Sequence, residues 1–198
     1  MSQVRDSSDT STGQASTRET ILSAAARCFG DKGYKACTVQ GIAREAGFTP
    51  PTVYAHFGSK QKLFAALVGE VLEDLHRSLA REVPEGLLLG QRLELQVREL
   101  LELAERRREV FALLILRPYE LPFLPEHEDE DEALERFWAE LFSQYPDELG
   151  GQSAREASLV MEGVLYGFIK AWIRSGEATL VPQTRRIVAL VLRGVTAP

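Results

Sequence analysis

Residues 49–57 read Thr-Pro-Pro-Thr-Val-Tyr-Ala-His-Phe, and their side chains suit the recognition of an anion better than the making of a bond. Val53 and Phe57, four residues apart, share one side of a short helix and turn it inward. That leaves Thr49, Pro50, Pro51, Thr52, Tyr54 and His56 along the outer side and at the amino end. Hydroxyl and imidazole groups donate hydrogen bonds to phosphate oxygens, and helix amino ends add backbone N–H donors. Pro50 and Pro51 remove two of those donors. In their place stands rigid apolar surface of the kind that packs against a thymine methyl. A helix so poor in apolar residues is not a core element, and one that offers its amino end outward matches a helix laid into a major groove.

The elements that must hold this helix are legible on either side of it. Thr38 predicts an N-cap for a helix with Val39, Ile42, Ala43 and Ala46 inward, closed at Gly47. Thr49 caps the next helix, with proline in its first turn. The pair, meeting across a tight glycine turn, is a helix-turn-helix in outline. Gly58-Ser59 breaks and caps again before a long helix from Lys60 to about Val83, striped by Leu63, Phe64, Leu67, Val71, Leu72, Leu75 and Leu79. A cation at the start of that helix opposes its macrodipole, so an outside anion near Lys60 makes better sense of it. Upstream, Ile21, Leu22, Ala25, Cys28 and Phe29 recur at helical spacing, with Ser16 and Glu19 as a capping box and Gly30 to Gly33 as the stop. Residues 1–15 have almost nothing to bury and are expected to form a disordered tail.

From residue 17 to 67 the chain resembles the DNA-binding domain of the tetracycline-repressor (TetR) family of transcriptional regulators. The matching segments are "FGDKGY", "TVQGIAREAG", "TVYAHFGSK" and "LFAAL". The resemblance implies phosphate contacts from Thr38, Tyr54, His56 and Lys60, and base-facing positions at Gln40, Pro50, Pro51 and Thr52. Gln40 has the amide for a bidentate bond to adenine. Ala55 stands where many members carry a larger residue, so one contact is absent. Without the motif, Tyr54 and His56 would read as polar residues of a packed helix and Lys60 as a solvated lysine.

Beyond Pro84-Glu85-Gly86, helical patterns run at 88–107, 109–117, 130–145, 153–175 and 183–195. No stretch alternates long enough for a strand, so the expectation is all-α, about nine helices. The expected domains are a head over 16–65 and a regulatory ligand-binding and dimerisation domain over 66–198. Gly163, Gly167 and Ala171 repeat small residues every four along 153–175, a seam that lets another helix approach closely. The last helix is apolar over much of its girth and needs cover on more than one side. A four-helix homodimer interface including Ile187, Leu190 and Val191 is expected, with monomer core as the alternative. Aromatics crowd the same region, either as core or as the lining of an effector cavity; Phe111, Arg117, Phe137, Trp138 and Tyr166 are the candidates for the cavity.

Charge and composition exclude other classes. The 198 residues carry 23 Lys+Arg against 29 Asp+Glu, a net −6 and a pI near 5.2, which disfavours a protein that merely coats nucleic acid or an anionic membrane. Within it, residues 17–65 hold seven basic side chains against three acidic, one locally basic region. The longest apolar run, Val110 to Leu116, is far short of a bilayer span. With no hydrophobic leader, the location expected is cytoplasmic. Two cysteines make no disulfide framework or zinc signature. Cys28 falls on an inward stripe, and Cys37 is core or a redox handle. His56, His76 and His127 are scattered, with no nucleophile elbow or Gly-rich phosphate loop, so neither an enzyme nor a cofactor is expected. The acidic run Glu126 to Glu132 reads as a solvated loop, not a metal cage. Two functions remain: a regulator, most simply a repressor, that binds a palindromic double-stranded operator as a dimer and is released by a small apolar or amphipathic effector; or an all-α ligand-binding or scaffold protein without DNA binding.

Overall fold

A computed structural model describes residues 8–118, 121–122 and 130–196, and within these the only regular secondary structure is helical. Its helices are α1 (Ser8–Ala36), α2 (Val39–Ala46), α3 (Pro50–Phe57), α4 (Lys60–Leu79), α5 (Leu89–Arg106), α6 (Arg108–Leu116), α7 (Glu130–Ser143), α8 (Ala154–Ser175) and α9 (Thr184–Val195). The expected nine-helix, all-α architecture is what the described residues adopt.

Three boundaries depart from expectation. The first helix starts at Ser8, inside the segment expected to be disordered, and Ser16 is an interior residue whose carbonyl accepts from the Thr20 hydroxyl at 2.8 Å. Once a packed helix exists downstream, each further turn adds hydrogen bonds without a new nucleation cost, and no proline intervenes. At its other end α1 passes through Gly30 and kinks at Gly33 (φ 82°), where glycine tolerates the left-handed backbone. Helix α4 ends at Leu79 rather than near Val83, because Pro84 disfavours helix in the residue before it.

The buried side chains form two clusters. The first gathers Ile21, Phe29, Ile42, Val53, Phe57, Phe64 and Val71 from α1–α4, with Val110 and Leu113 from α6. The second gathers α5, α7, α8 and α9 around Leu93, Trp138, Met161, Leu165, Ile187 and Val191. Helix α4 belongs to both: Leu72 packs on the first cluster and Leu75 on the second.

The two cysteines, expected to build no disulfide framework, form a single bond. Cys28 and Cys37 are bonded, with Cα atoms 5.7 Å apart, because the kink at Gly33 folds the chain back onto α1.

Candidate nucleic-acid interface

Helix α2 is set by Thr38, whose Oγ1 accepts the Gly41 N–H at 3.1 Å, and by Gly47, which takes φ 75° in the left-handed region and donates to Ala43 and Arg44. Val39, Ile42 and Ala43 are buried, so Thr38 and Gln40 stay exposed. Arg27 on α1 grips Glu45 with Nε–Oε1 2.6 Å, holding α2 against the first helix.

Helix α3 follows the expected pattern with one local difference. Thr49 is its N-cap residue, yet its hydroxyl makes no cap bond; it pairs instead with the Thr52 hydroxyl at 3.0 Å. A capping oxygen takes the N–H of the second or third helical residue. The second is Pro51, which has none, and the Thr52 N–H already donates to the Thr49 carbonyl at 3.0 Å. The two hydroxyls thus fix one another at the helix amino end. Val53 and Phe57 are buried, leaving Pro51 and Tyr54 exposed and Pro50, Thr52 and His56 half-exposed.

Lys60 opens α4 beneath the Ser59 cap. Its ammonium lies 4.4 Å from the centre of the Tyr34 ring and donates to the Lys35 carbonyl at 3.4 Å. Partial burial there holds the Lys60 ammonium below the usual lysine range and pushes the Tyr34 phenol above its own.

The eight residues expected to meet DNA therefore all lie at the surface of two short helices and the start of a third. The matrix behind them is built by sequence elements of known kind. Residues 21–67 match the model of bacterial regulatory proteins of the tetR family. The repressor BepR of Brucella suis biovar 1 (strain 1330) is 25% identical over 93% of this chain and 94% of its own length. The repressor KstR2 of Mycolicibacterium smegmatis is 44% identical over 66 residues, 33% of this chain and 30% of that protein. A TetR-like transcriptional regulator from Rhodococcus sp. RHA1 superposes with a TM-score of 0.75 over 90% of this chain and 94% of its own, at 21% identity.

The head of this chain, residues 21–67, is that of the TetR family of bacterial regulatory proteins.

The chain joins this helix-turn-helix head to a helical body, and ion pairs lie at the joint. Arg107, between α5 and α6, donates from Nε and Nη2 to Asp74 Oδ2 at 2.9 and 2.7 Å, and Glu70 pairs with Arg18 at 2.7 Å. Arg107 and Glu70 border a polar cleft of about 630 Å³ between α1, α4 and α6. The sequence reading missed this joint, although the Arg106-Arg107-Arg108 run between two helical patterns and the i, i+4 pair Glu70 and Asp74 were visible signals.

The body sets the cavity candidates in different places. Arg117 caps the end of α6 and donates from Nη1 to the Lys32 carbonyl at 3.2 Å, so it faces the head. Tyr166 is 48% exposed beneath the Lys170 ammonium, since it lies about 100° around the helix from Leu165 on the buried line. Trp138 is wholly buried, with Phe137 edge-on to it at 5.0 Å, and Phe111 is half-buried between the clusters.

Of the dimer candidates, Ile187 and Val191 are fully buried in this chain's own core, because α9 turns that stripe onto α5 and α8. Gly163, Gly167, Ala171 and Leu190 instead line an open apolar groove of about 340 Å³. The acidic run from Glu126 to Asp129, with His127, lies outside the described residues, as do Tyr119 and Phe123. Among the described residues no cluster of three His, Cys, Asp or Glu is placed to hold a metal, and no helix is long and apolar enough to cross a membrane.

Proposed function

We propose that this regulator binds a palindromic operator as a homodimer and releases it when a small apolar or amphipathic molecule enters the body. The observation that carries the reading is the head itself. Its nominated residues stay at the surface while Val39, Ile42, Val53 and Phe57 bury the opposite sides of the same helices. Thr38, Tyr54, His56 and Lys60 then supply phosphate contacts, and Gln40, Pro50, Pro51 and Thr52 meet base edges.

Dimerisation is supported by the groove between Gly163 and Leu190, beside which Leu159 and Tyr166 stand largely exposed. Apolar surface of that kind along two helices suits the same helices of a second copy. An amphipathic effector is favoured by the body core, where the Trp138 and Trp172 indole N–H groups and Gln96 Oε1 are buried without partners among the described residues. A ligand carrying an acceptor and a donor would satisfy groups that are costly to leave unmet.

The test is selection of genomic fragments by the purified protein, followed by footprinting. Inverted repeats with half-sites about 34–36 Å apart, bound by two chains, are expected. Failure to enrich any sequence over non-specific DNA would overturn the reading.

A further inference from the structure

We propose that Cys28 and Cys37 form a thiol–disulfide switch of DNA affinity, with the bonded form the tighter binder; this rests on the operator-binding reading above. The bond joins the buried side of α1 to the residue just before Thr38, the cap of α2. Both cysteines are buried, at 2% and 0% exposure. The loop it closes carries the Tyr34 ring and the Lys35 carbonyl that seat the Lys60 ammonium. Thus one covalent link governs the placement of two phosphate-facing residues, Thr38 and Lys60, that stand on different helices.

The two redox states differ in what ties Cys37 to α1. The bond is a covalent tether between them, and in the dithiol only packing holds the two together. Without the tether Cys37 can move away from α1, carrying Thr38 and the loop under Lys60 with it. Hydrogen bonds to phosphate tolerate only a few tenths of an ångström, so both contacts weaken together.

The chemistry balances with a small thiol, RSH, as reductant. Its thiolate attacks Cys28 Sγ and expels Cys37 as a thiolate that takes up a proton. A second RS⁻ attacks the mixed disulfide, releases RSSR and leaves Cys28 to be protonated, so two electrons and two protons enter the protein. Oxidation by RSSR runs the same steps backward. Burial makes exchange wait on local opening of the loop, for which the kink at Gly33 is the natural pivot.

The experiment compares full-length protein treated with glutathione disulfide and with dithiothreitol, the bond in each counted by thiol mass tagging. Affinity is read at one salt concentration on a duplex selected from a random-sequence library by a mixture of both forms. The bonded form should bind at least about fivefold tighter, reversibly, and a Cys28→Ser/Cys37→Ser variant should bind like the dithiol under both treatments. Equal affinities, the opposite order, or a response that survives in the double variant would each overturn the switch. Should neither form bind any duplex, the operator reading fails instead. The switch is then judged by amide exchange: residues 38–42 and 60–63 should exchange faster in the dithiol, and unchanged rates overturn it.

Discussion

Gly30 lies so close to Glu109 that a β-carbon on it would stand 2.9 Å from the Glu109 Cβ and 3.1 Å from that residue's Cα and carbonyl oxygen. Helices α1 and α6 meet there backbone to backbone, and the Arg117 bond to the Lys32 carbonyl closes the same contact further along. Gly30→Ala must push the helices apart, at a cost of about 1–3 kcal/mol. Thermal unfolding should show a drop in melting temperature, by roughly 2–4 °C per kcal/mol for a chain of this size. An unchanged melt would mean that the close approach is not maintained in solution.

Gly167 provides the contrast. A β-carbon added there meets nothing within 4 Å in the chain. Gly167→Leu should therefore leave the melt of the isolated chain nearly intact while blocking the groove. Sedimentation at micromolar concentration should find the wild type dimeric and the variant shifted to monomer, with operator binding lost in step. A variant that remains fully dimeric removes this face from the interface.

Within the head, phosphate and base roles separate by salt. Lys60→Ala should weaken all sequences alike and reduce the slope of log affinity against log salt by roughly one unit. Thr52→Ala and Gln40→Ala should keep the slope and change which base pairs are preferred, by about 1–3 kcal/mol each. If Lys60→Ala reorders the preferred sequences at an unchanged slope, the assignment of roles is wrong.

The start of α8 makes a pH prediction. Ser153 donates from Oγ and from its backbone N–H to Glu156 Oε2 at 2.7 and 2.8 Å, the hydroxyl bond being the larger cause of a carboxyl held below the usual glutamate value. A depressed folded pKa stabilises above the unfolded value of 4.5 and loses that contribution as pH falls through the folded value. A carbon-detected titration should place Glu156 below 4.5, and Ser153→Ala should return it toward that value. A Glu156 midpoint at or above 4.5 in the wild type would count against the capping box.

Much of this was readable from the chain because the deciding interactions are local. Thr38, Gly47, Ser59 and Ser153 terminate helices through bonds spanning only a few residues, and spacing alone reveals them. The eight head residues followed from a compact motif. What escaped depends on distance through space. The Cys28–Cys37 link needs the kink at Gly33, and the Arg107–Asp74 pair joins residues 33 positions apart in the chain. The two-sided apolar pattern of α9 also could not say which stripe faces inward; packing on α5 and α8 takes Ile187 and Val191 and leaves Leu190 outside.

Because Leu72 and Leu75 anchor α4 in different cores, a tilt of the body would swing this single helix as a lever arm. Twenty residues of α-helix extend about 30 Å. A rotation of about 5° about one end sweeps the other through roughly 2.5 Å over that length. In a two-fold pair the displacements oppose one another and the spacing between heads changes by about 5 Å, a large part of the ~12 Å width of a major groove. In a dimer of the kind proposed, motions too small to disturb the packing of the body would thereby be geared up into a mismatch that a rigid duplex could not follow.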